Sequence, residues 1–309
     1  MHTHPLSKKI GLFIGPLLFI TVLNFPFDTL SFKATAVLAL ACWMVCWWIS
    51  EAVSISVTAL LPLIIFPLTD VMTVNDVGAN YGSSIVFLFF GGFVLALGLE
   101  KVNLHRRIAL TIIKKTGTSP NKVILGFMIA TAFMSMWISN TASTVVMLPI
   151  ALSVINLLID QQESSTKQTR NFALSVMLGI AFSANAGGIA TVIGTPPNSV
   201  LIGLLENEYQ IQISFVKWMM IGLPFAIVMI TIIYLVLVYG IFSTKGLQFS
   251  ASQEVIDNEL DKLGPIKPKE KQVIWVFGIV VSLWIFRTLI NSIFPGLKLS
   301  DTVISIFGA

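Results

Sequence analysis

The chain has 309 residues, of which 55% are hydrophobic and 11% are charged, and its formal net charge is +4. Soluble domains carry about 25% charged residues, so this composition excludes a soluble globular protein and indicates an integral membrane protein. Repeated apolar runs of about 17–25 residues indicate membrane-spanning helices and exclude a barrel of alternating strands. The positive charge then bears on orientation in the membrane, and we predict no nucleic-acid partner.

In the first third of the chain, the apolar runs cover residues 10–25, 34–49, 53–68 and 84–98, with a polar loop expected at 69–82. The first run resembles a signal peptide in length, but no small-residue cleavage site follows it, so an uncleaved span is favoured. Cys42 and Cys46 lie one helical turn apart and are interpreted as packing residues. The three histidines lie outside the apolar runs, so we predict no metal site beyond one for Na⁺.

Residues 100–118 combine five basic side chains with apolar residues at helical spacing. This pattern favours an amphipathic helix lying in the membrane interface, and a plain cytoplasmic loop helix is the alternative. Two apolar segments follow at 122–138 and 142–158, joined by Ser139-Asn140-Thr141. Residues 171–205 are too long for one span, since a continuous helix would measure about 50 Å against about 30 Å of hydrocarbon.

The rest of the chain predicts spans at residues 216–242 and 272–290, separated by the polar and lysine-rich stretch 243–271. Residues 301–309 open a further apolar run that stops after a few residues. We therefore expect a fragment of a longer transporter. The alternative is a complete protein that ends in a short interfacial tail.

Lysine and arginine counts predict the orientation, because they accumulate on the cytoplasmic side. A cytoplasmic amino terminus places 15 of the 19 basic residues inside the cell, provided that 122–158 enters and leaves on one side and 171–205 crosses once. Only Lys33, Lys217 and Lys298 then lie outside, and Arg287 lies in a span. A double crossing at 171–205 would move the lysines of 243–271 outside, so a single broken crossing is favoured.

Two polar interruptions carry the predicted chemistry. Ser, Asn and Thr are preferred helix N-caps, so Ser139-Asn140-Thr141 predicts a helix start inside the membrane, whose free N–H groups attract an anion. Ser135 and Ser139 lie on one helical face with Thr131. For Thr131 we expect its hydroxyl to bond the carbonyl four residues earlier, whereas Ser135 and Ser139 predict an ion path.

The second interruption is GGIATVIGTPPNS, at residues 187–199. Gly194 permits a break, Thr195 can cap, and Pro196 suits the first turn of a helix that begins inside the membrane. A proline kink in an ordinary span is the alternative. Because the apolar core contains no Asp or Glu, a neutral cage of oxygens suits Na⁺ and the helix starts suit an anion, which indicates Na⁺-coupled anion transport. An intramembrane hydrolase would need a nucleophile and a base that the core lacks, so we predict no catalytic residues and no enzyme.

The segment MSMWISNTASTVVMLPIALSV resembles the first Ser-Asn-Thr motif of the divalent anion/Na⁺ symporter family, which includes dicarboxylate, citrate and sulfate carriers. WWISEAVSISVTALLPLIIFPL is similar to the family's early segment, GGIATVIGTPPNSV to its broken fifth helix, and LSDTVISIFGA to the start of its eighth. The resemblance covers essentially the whole chain. The family's second Ser-Asn-Thr is absent, so we expect the chain to hold half of a binding site and to be inactive in transport by itself, or to act only as a membrane scaffold.

The resemblance implies an all-α, inverted-repeat elevator-type transporter with a re-entrant hairpin and a broken helix, truncated after the first repeat. It implies scaffold helices and an arm helix at 1–121, a transport part at 122–212, a scaffold helix and amphipathic linker at 213–271, and the start of a second repeat at 272–309. The implied sodium ligands are Ser135, Ser139, Asn140 and Gly194, and the implied substrate contacts are Ser139, Asn140, Thr141, Thr195 and Pro196.

The function expected from the residues and the resemblance together is Na⁺-coupled symport of divalent anions, in particular C4-dicarboxylates, with Na⁺ as coupling ion and no other cofactor. A Na⁺-independent exchanger and a citrate or sulfate carrier of the same family are the alternatives. The expected partners are the small anion, Na⁺, the lipid bilayer and, for the full-length protein, a second copy in a homodimer. The expected location is the cell membrane, with several crossings.

Overall fold

The computed structural model describes residues 6–117, 119–160, 167–245, 247 and 252–309, with side chains left out at 157–160 and 252–255. All regular elements in these ranges are helices. The chain divides into two units between Ser83 and Ser84.

The first unit contains five helices, α1 (Leu6–Leu23), α2 (Phe32–Ser50), α3 (Ile55–Thr58), α4 (Leu61–Leu68) and α5 (Val74–Tyr81). Close packing of α1 on α2 depends on Gly15, since a Cβ there would lie 2.5 Å from ring atoms of Trp43 and Trp47. The predicted span 53–68 is instead two short helices. Pro62, at the start of α4, cannot donate the backbone hydrogen bond that would continue α3.

The predicted polar loop 69–82 also differs, because it contains α5. The Thr73 hydroxyl accepts from the backbone N–H of Asp76 at 3.2 Å and donates to its carboxylate at 2.7 Å. This reciprocal pair closes the first turn of the helix, so a Thr-x-x-Asp sequence was the local signal for α5.

The second unit contains the other ten α-helices. They are α6 (Ser84–Lys101), α7 (Leu104–Thr116), α8 (Pro120–Ser135), α9 (Asn140–Asp160), α10 (Lys167–Gly188), α11 (Pro196–Tyr209), α12 (Phe215–Leu235), α13 (Ser252–Leu263), α14 (Pro268–Ile293) and α15 (Asp301–Gly308). A π-helical segment, Val236–Ile241, continues α12. The main core contains Ile113 of α7, Phe127 of α8, Met147 of α9 and Phe172 of α10, all fully buried.

Five stretches of the described chain are long and apolar enough to cross a membrane, namely Leu6–Leu23, Phe32–Ser50, Val74–Lys101, Phe215–Ile241 and Pro268–Ile293. Four of them contain the runs predicted as spans at 10–25, 34–49, 216–242 and 272–290 to within a residue or two at their ends. The remaining one joins α5 and α6, so it begins earlier than the predicted run 84–98.

The amphipathic helix predicted at 100–118 is present as α7. Its apolar face is buried, with Ala109, Leu110 and Ile113 fully covered. Its basic face contacts acidic residues of the following helices: Lys114 pairs with Asp257 at 2.7 Å, and Arg107 pairs with Glu270 at 2.7 Å. Arg106 also pairs with Glu259 of α13. The polar face of α7 is thus occupied in part by protein.

Candidate functional site

The hairpin tip between α8 and α9 is a tight turn of four residues, from Met136 to Ser139. The Ser139 hydroxyl accepts from the backbone N–H of Ala142 at 3.2 Å, and the Ser139 carbonyl accepts from the N–H of Ser143 at 3.0 Å. Ser139 therefore caps α9, as predicted, although the helix begins at Asn140, two residues earlier than the apolar run suggests.

The Asn140 side chain is held from two directions. The Ser135 hydroxyl donates to its Oδ1 atom at 2.6 Å, and its Nδ2 donates to Oδ1 of Asn185, on α10, at 3.1 Å. Ser135 is fully buried, so its hydroxyl is directed into the protein and not to a solvent face. Thr131, by contrast, donates to the Phe127 carbonyl at 2.6 Å, which confirms the expected local bond.

Two glycines bring the broken segment against the hairpin. A Cβ on Gly188 would lie 2.4 Å from Asn140 Oδ1, and a Cβ on Gly194 would lie 2.5 Å from the Gly188 carbonyl oxygen and 3.0 Å from that of Ser135. Only residues without side chains allow this approach. It gathers four neutral oxygens, which we call the oxygen cluster: the Ser135 hydroxyl and carbonyl, Asn140 Oδ1 and the Gly188 carbonyl.

The helix predicted to be broken within 171–205 ends at Gly188 and resumes at Pro196. Side chains bind the carbonyls that the break leaves without helical partners. Asn198 Nδ2 donates to the carbonyls of Gly188 at 2.9 Å and Thr191 at 2.8 Å. Trp218 Nε1 donates to that of Ile189 at 2.9 Å. Asn198 is itself buried, and its two hydrogen bonds stabilise the break.

The start of α11 differs from the expectation that Thr195 caps it. Thr195 occupies the N-cap position, but its hydroxyl makes no capping bond. Pro196 and Pro197 have no N–H to donate, and the N–H of Asn198 bonds the Thr195 carbonyl at 3.2 Å. This helix start therefore supplies its dipole and the Thr195 hydroxyl, for which no described residue is a partner, but no amide donors from its first two positions.

The start of α9 has the complementary property. The backbone N–H groups of Asn140 and Thr141 lie in the first turn, where an α-helix provides no partner, and no other described residue accepts from them. Ser139 and Thr141 are exposed, and Asn140 is half-buried. Two amide donors and the positive end of a helix are thus available to an anion.

The predicted site residues fall into two groups. Ser135, Asn140 and Gly194 meet at the oxygen cluster, and Ser139 adjoins it in the hairpin tip. Among the described residues, no hydrogen bond joins the side chains of Thr141 or Thr195 to this cluster. Neither does the described part of the chain contain a group of three His, Cys, Asp or Glu residues that could hold a metal ion.

Sequence reasoning missed two members of the site, Asn185 and Gly188. Asn185 is a polar residue near the end of the apolar helix α10, and Gly188 belongs to a glycine pair at the start of the segment predicted to be broken. The available signal for Asn185 was a single side-chain amide in an apolar helix, close in sequence to the predicted break. Which side chain it meets depends on how α9 packs on α10.

A sequence model of the family described as "Sodium:sulfate symporter transmembrane region" matches residues 7–309. The chain belongs to this family. Two of its relatives are proteins named "Sodium-dependent dicarboxylate transporter SdcS", from Staphylococcus aureus strains USA300 and NCTC 8325. Each is 43% identical over 284 residues, which cover 91% of this chain and 55% of the relative. The chain thus spans about half the length of these relatives.

The family and the apolar helices together make this chain part of a multi-pass protein of the cell membrane. The matched proteins are transporters, which agrees with the prediction that the chain is not an enzyme. The divalent anion/Na⁺ symporter resemblance inferred from the motifs is confirmed.

Proposed function

We propose that the protein is a secondary active transporter that couples Na⁺ to the import of divalent anions, in particular C4-dicarboxylates such as succinate. The oxygen cluster beside the free amides of α9 carries this proposal, because it offers a cation site and an anion site in contact. The relatives' name, sodium-dependent dicarboxylate transporter, supports both the ion and the substrate class.

In this proposal Na⁺ binds between the hairpin tip and the break, at Ser135, Ser139, Asn140 and Gly194. Neutral hydroxyl, amide and carbonyl oxygens suit a monovalent cation that has to be released again. The Gly188 carbonyl is an additional ligand, since it accepts one bond from Asn198 and retains a second lone pair. Asn140 Oδ1 likewise retains a lone pair after accepting from Ser135.

The substrate contacts are proposed at Ser139, Asn140, Thr141, Thr195 and Pro196. One carboxylate accepts from the amides of Asn140 and Thr141 and from the free hydroxyl of Thr195, while the two helix starts stabilise its charge. Asn140 belongs to both sites through different atoms. Na⁺ at Asn140 Oδ1 and an anion at its backbone N–H would contact the same residue, which couples the two binding events.

The wider assignment follows the sequence. We propose an elevator arrangement in which residues 122–212 form the moving part, residues 1–121 and 213–271 belong mainly to the scaffold, and 272–309 begin a second repeat. The amino terminus lies in the cytoplasm, and the full protein is a homodimer.

Uptake into proteoliposomes that contain the complete gene product tests the function. Labelled succinate should accumulate when Na⁺ is present outside, and replacing Na⁺ with choline at equal ionic strength should abolish accumulation. Equal uptake without Na⁺ contradicts the coupling. Preloading the vesicles with unlabelled succinate distinguishes a symporter from an exchanger, because uptake by an exchanger would depend on the internal anion. Stronger competition by sulfate than by succinate would favour a sulfate carrier. Sulfate is the anion named in the family's description.

A further inference from the structure

An apolar groove lies between α8, the end of α10 and α12, outside the proposed ion and substrate site. Its volume is about 570 Å³. Leu125, Ile129 and Phe133 form one wall, and Ile227 and Ile230 of α12 form the other. Ile129 and Phe133 are 39% and 38% exposed, so the described residues leave this surface open.

The polar groups that line the groove are already bonded within the protein. The Thr231 hydroxyl donates to the Ile227 carbonyl at 2.8 Å, and the Tyr234 hydroxyl donates to the Asn121 carbonyl at 3.4 Å. The α12 wall lies within Phe215–Ile241, one of the stretches able to cross a membrane. An occupant at this depth must therefore be apolar.

One end of the groove is basic. Lys122 lies three residues before Leu125 and seven before Ile129, on the same exposed stripe of α8. Tyr234, at this end of the groove, bonds Asn121, the neighbour of Lys122. The acyl chain of a lipid whose head group binds at Lys122 would thus extend between the apolar walls.

Two further cations are brought to this end by hydrogen bonds of their neighbours. Thr244 donates to Asn121 Oδ1, which brings Lys245 beside the start of α8. Asn171 Nδ2 donates to the Ser243 carbonyl at 3.0 Å, which brings Arg170 to the same end. Lys122, Arg170 and Lys245 are exposed, and none has an ion pair with any described residue.

We propose that the groove binds one anionic phospholipid from the surrounding bilayer. An acyl chain fills the space between α8 and α12, and the phosphate of the head group lies among Lys122, Arg170 and Lys245. Basic pockets between membrane helices are suited to anionic head groups, and each basic residue near the surface contributes about fivefold in affinity. Such a lipid contacts the proposed moving part and the proposed scaffold helix together.

Native mass spectrometry of the complete gene product tests this proposal. The detergent-purified protein is titrated with phosphatidylglycerol and, separately, with phosphatidylcholine of the same acyl chains. We expect one phosphatidylglycerol per chain to be retained at least tenfold more tightly than phosphatidylcholine. The triple variant Lys122→Gln, Arg170→Gln, Lys245→Gln should lose that preference. A matched variant without three other exposed cations, Lys33→Gln, Lys217→Gln and Lys298→Gln, should keep it.

A second variant separates the groove from a general surface charge effect. Ile129→Trp fills the groove from an exposed position and should reduce retention of both lipids, with the charges unchanged. Retention without preference, a preference that survives the triple variant, or retention unaffected by Ile129→Trp would each overturn the proposal.

Discussion

At the scale of single residues, the candidate site depends as much on missing side chains as on polar ones. Asn140 has a fixed orientation because Ser135 and Asn185 bond it from opposite sides. Gly188 lies so close to it that only a hydrogen atom fits between backbone and amide. The polar residues of this contact are visible in the sequence, but the requirement for glycine is a property of the packed helices.

Gly188→Ala should disturb the ion site selectively. The new methyl group would lie 2.4 Å from Asn140 Oδ1, so the amide must move away from the oxygen cluster. We expect the half-saturating Na⁺ concentration for uptake to rise about tenfold, the equivalent of about 1.4 kcal/mol. Gly278→Ala, on α14 with no atom near its Cβ position, is the control and should leave Na⁺ dependence unchanged. An unaltered Na⁺ dependence in Gly188→Ala would refute the assignment.

Thr195→Val tests the free hydroxyl at the start of α11. The substitution keeps the shape of the side chain and removes its hydroxyl, which makes no capping bond to α11. A hydrogen bond to a charged group contributes about 1.5–3 kcal/mol, so the KM for succinate should rise tenfold or more. Thr131→Val is the matched control, because that hydroxyl donates to the Phe127 carbonyl within its own helix. Similar KM values in the two variants would argue against substrate contact by Thr195.

At the scale of helices, hydropathy predicts long elements well and short ones poorly. The spans around α1, α2, α12 and α14 follow from apolar length alone. The division of residues 53–68 at Pro62 and the capped helix α5 depend on single residues whose effect a hydropathy run averages away. The break after Gly188 was predictable because glycines and prolines interrupt a run that is too long to cross unbroken.

The contact between α7 and α13 should respond to acid. The hydrogen bond from Lys262 and the nearby Arg106 charge hold the pKa of Glu259 below its ordinary value of 4.5. A lowered pKa means that the folded state favours the charged form, so this stabilisation is present at neutral pH and is lost as the pH falls below that value. Hydrogen exchange of residues 256–263 should therefore stay constant between pH 7 and about 5, after correction for intrinsic rates, and increase below.

Glu259→Gln provides the control for that experiment. It removes the titrating carboxyl, so exchange in α13 should already be faster at neutral pH and should show a smaller increase in acid. An acid response of equal size in the variant would mean that another group is responsible.

At the scale of the whole molecule, charge asymmetry predicts a side for every loop but not how the parts move. The family match confirms the kind of protein that the motifs indicate. The partition into moving part and scaffold stays a prediction, since it concerns a difference between two states. Periodicity and composition do not determine which helices contact each other even in one state, so they cannot show how those contacts change between two.

Single cysteines test the predicted orientation. In a background with Cys42→Ser and Cys46→Ser, a membrane-impermeant maleimide added to intact cells should label Lys33→Cys and Lys217→Cys. It should label Lys101→Cys and Lys269→Cys only after the membrane is opened. The reverse pattern would place the amino terminus outside. Labelling of all four cysteines in intact cells would contradict the predicted assignment of these positions to opposite sides of the membrane.

The two free amides at the start of α9 should also exchange their hydrogens with solvent rapidly. The N–H groups of Asn140 and Thr141 have no acceptor among the described residues, whereas those of the next turn are bonded. In the absence of substrate they should exchange with deuterium orders of magnitude faster than the amides of the following turns. Saturating succinate with Na⁺ should slow the exchange of these two amides selectively. Protection confined to Asn140 and Thr141 would identify where the carboxylate binds.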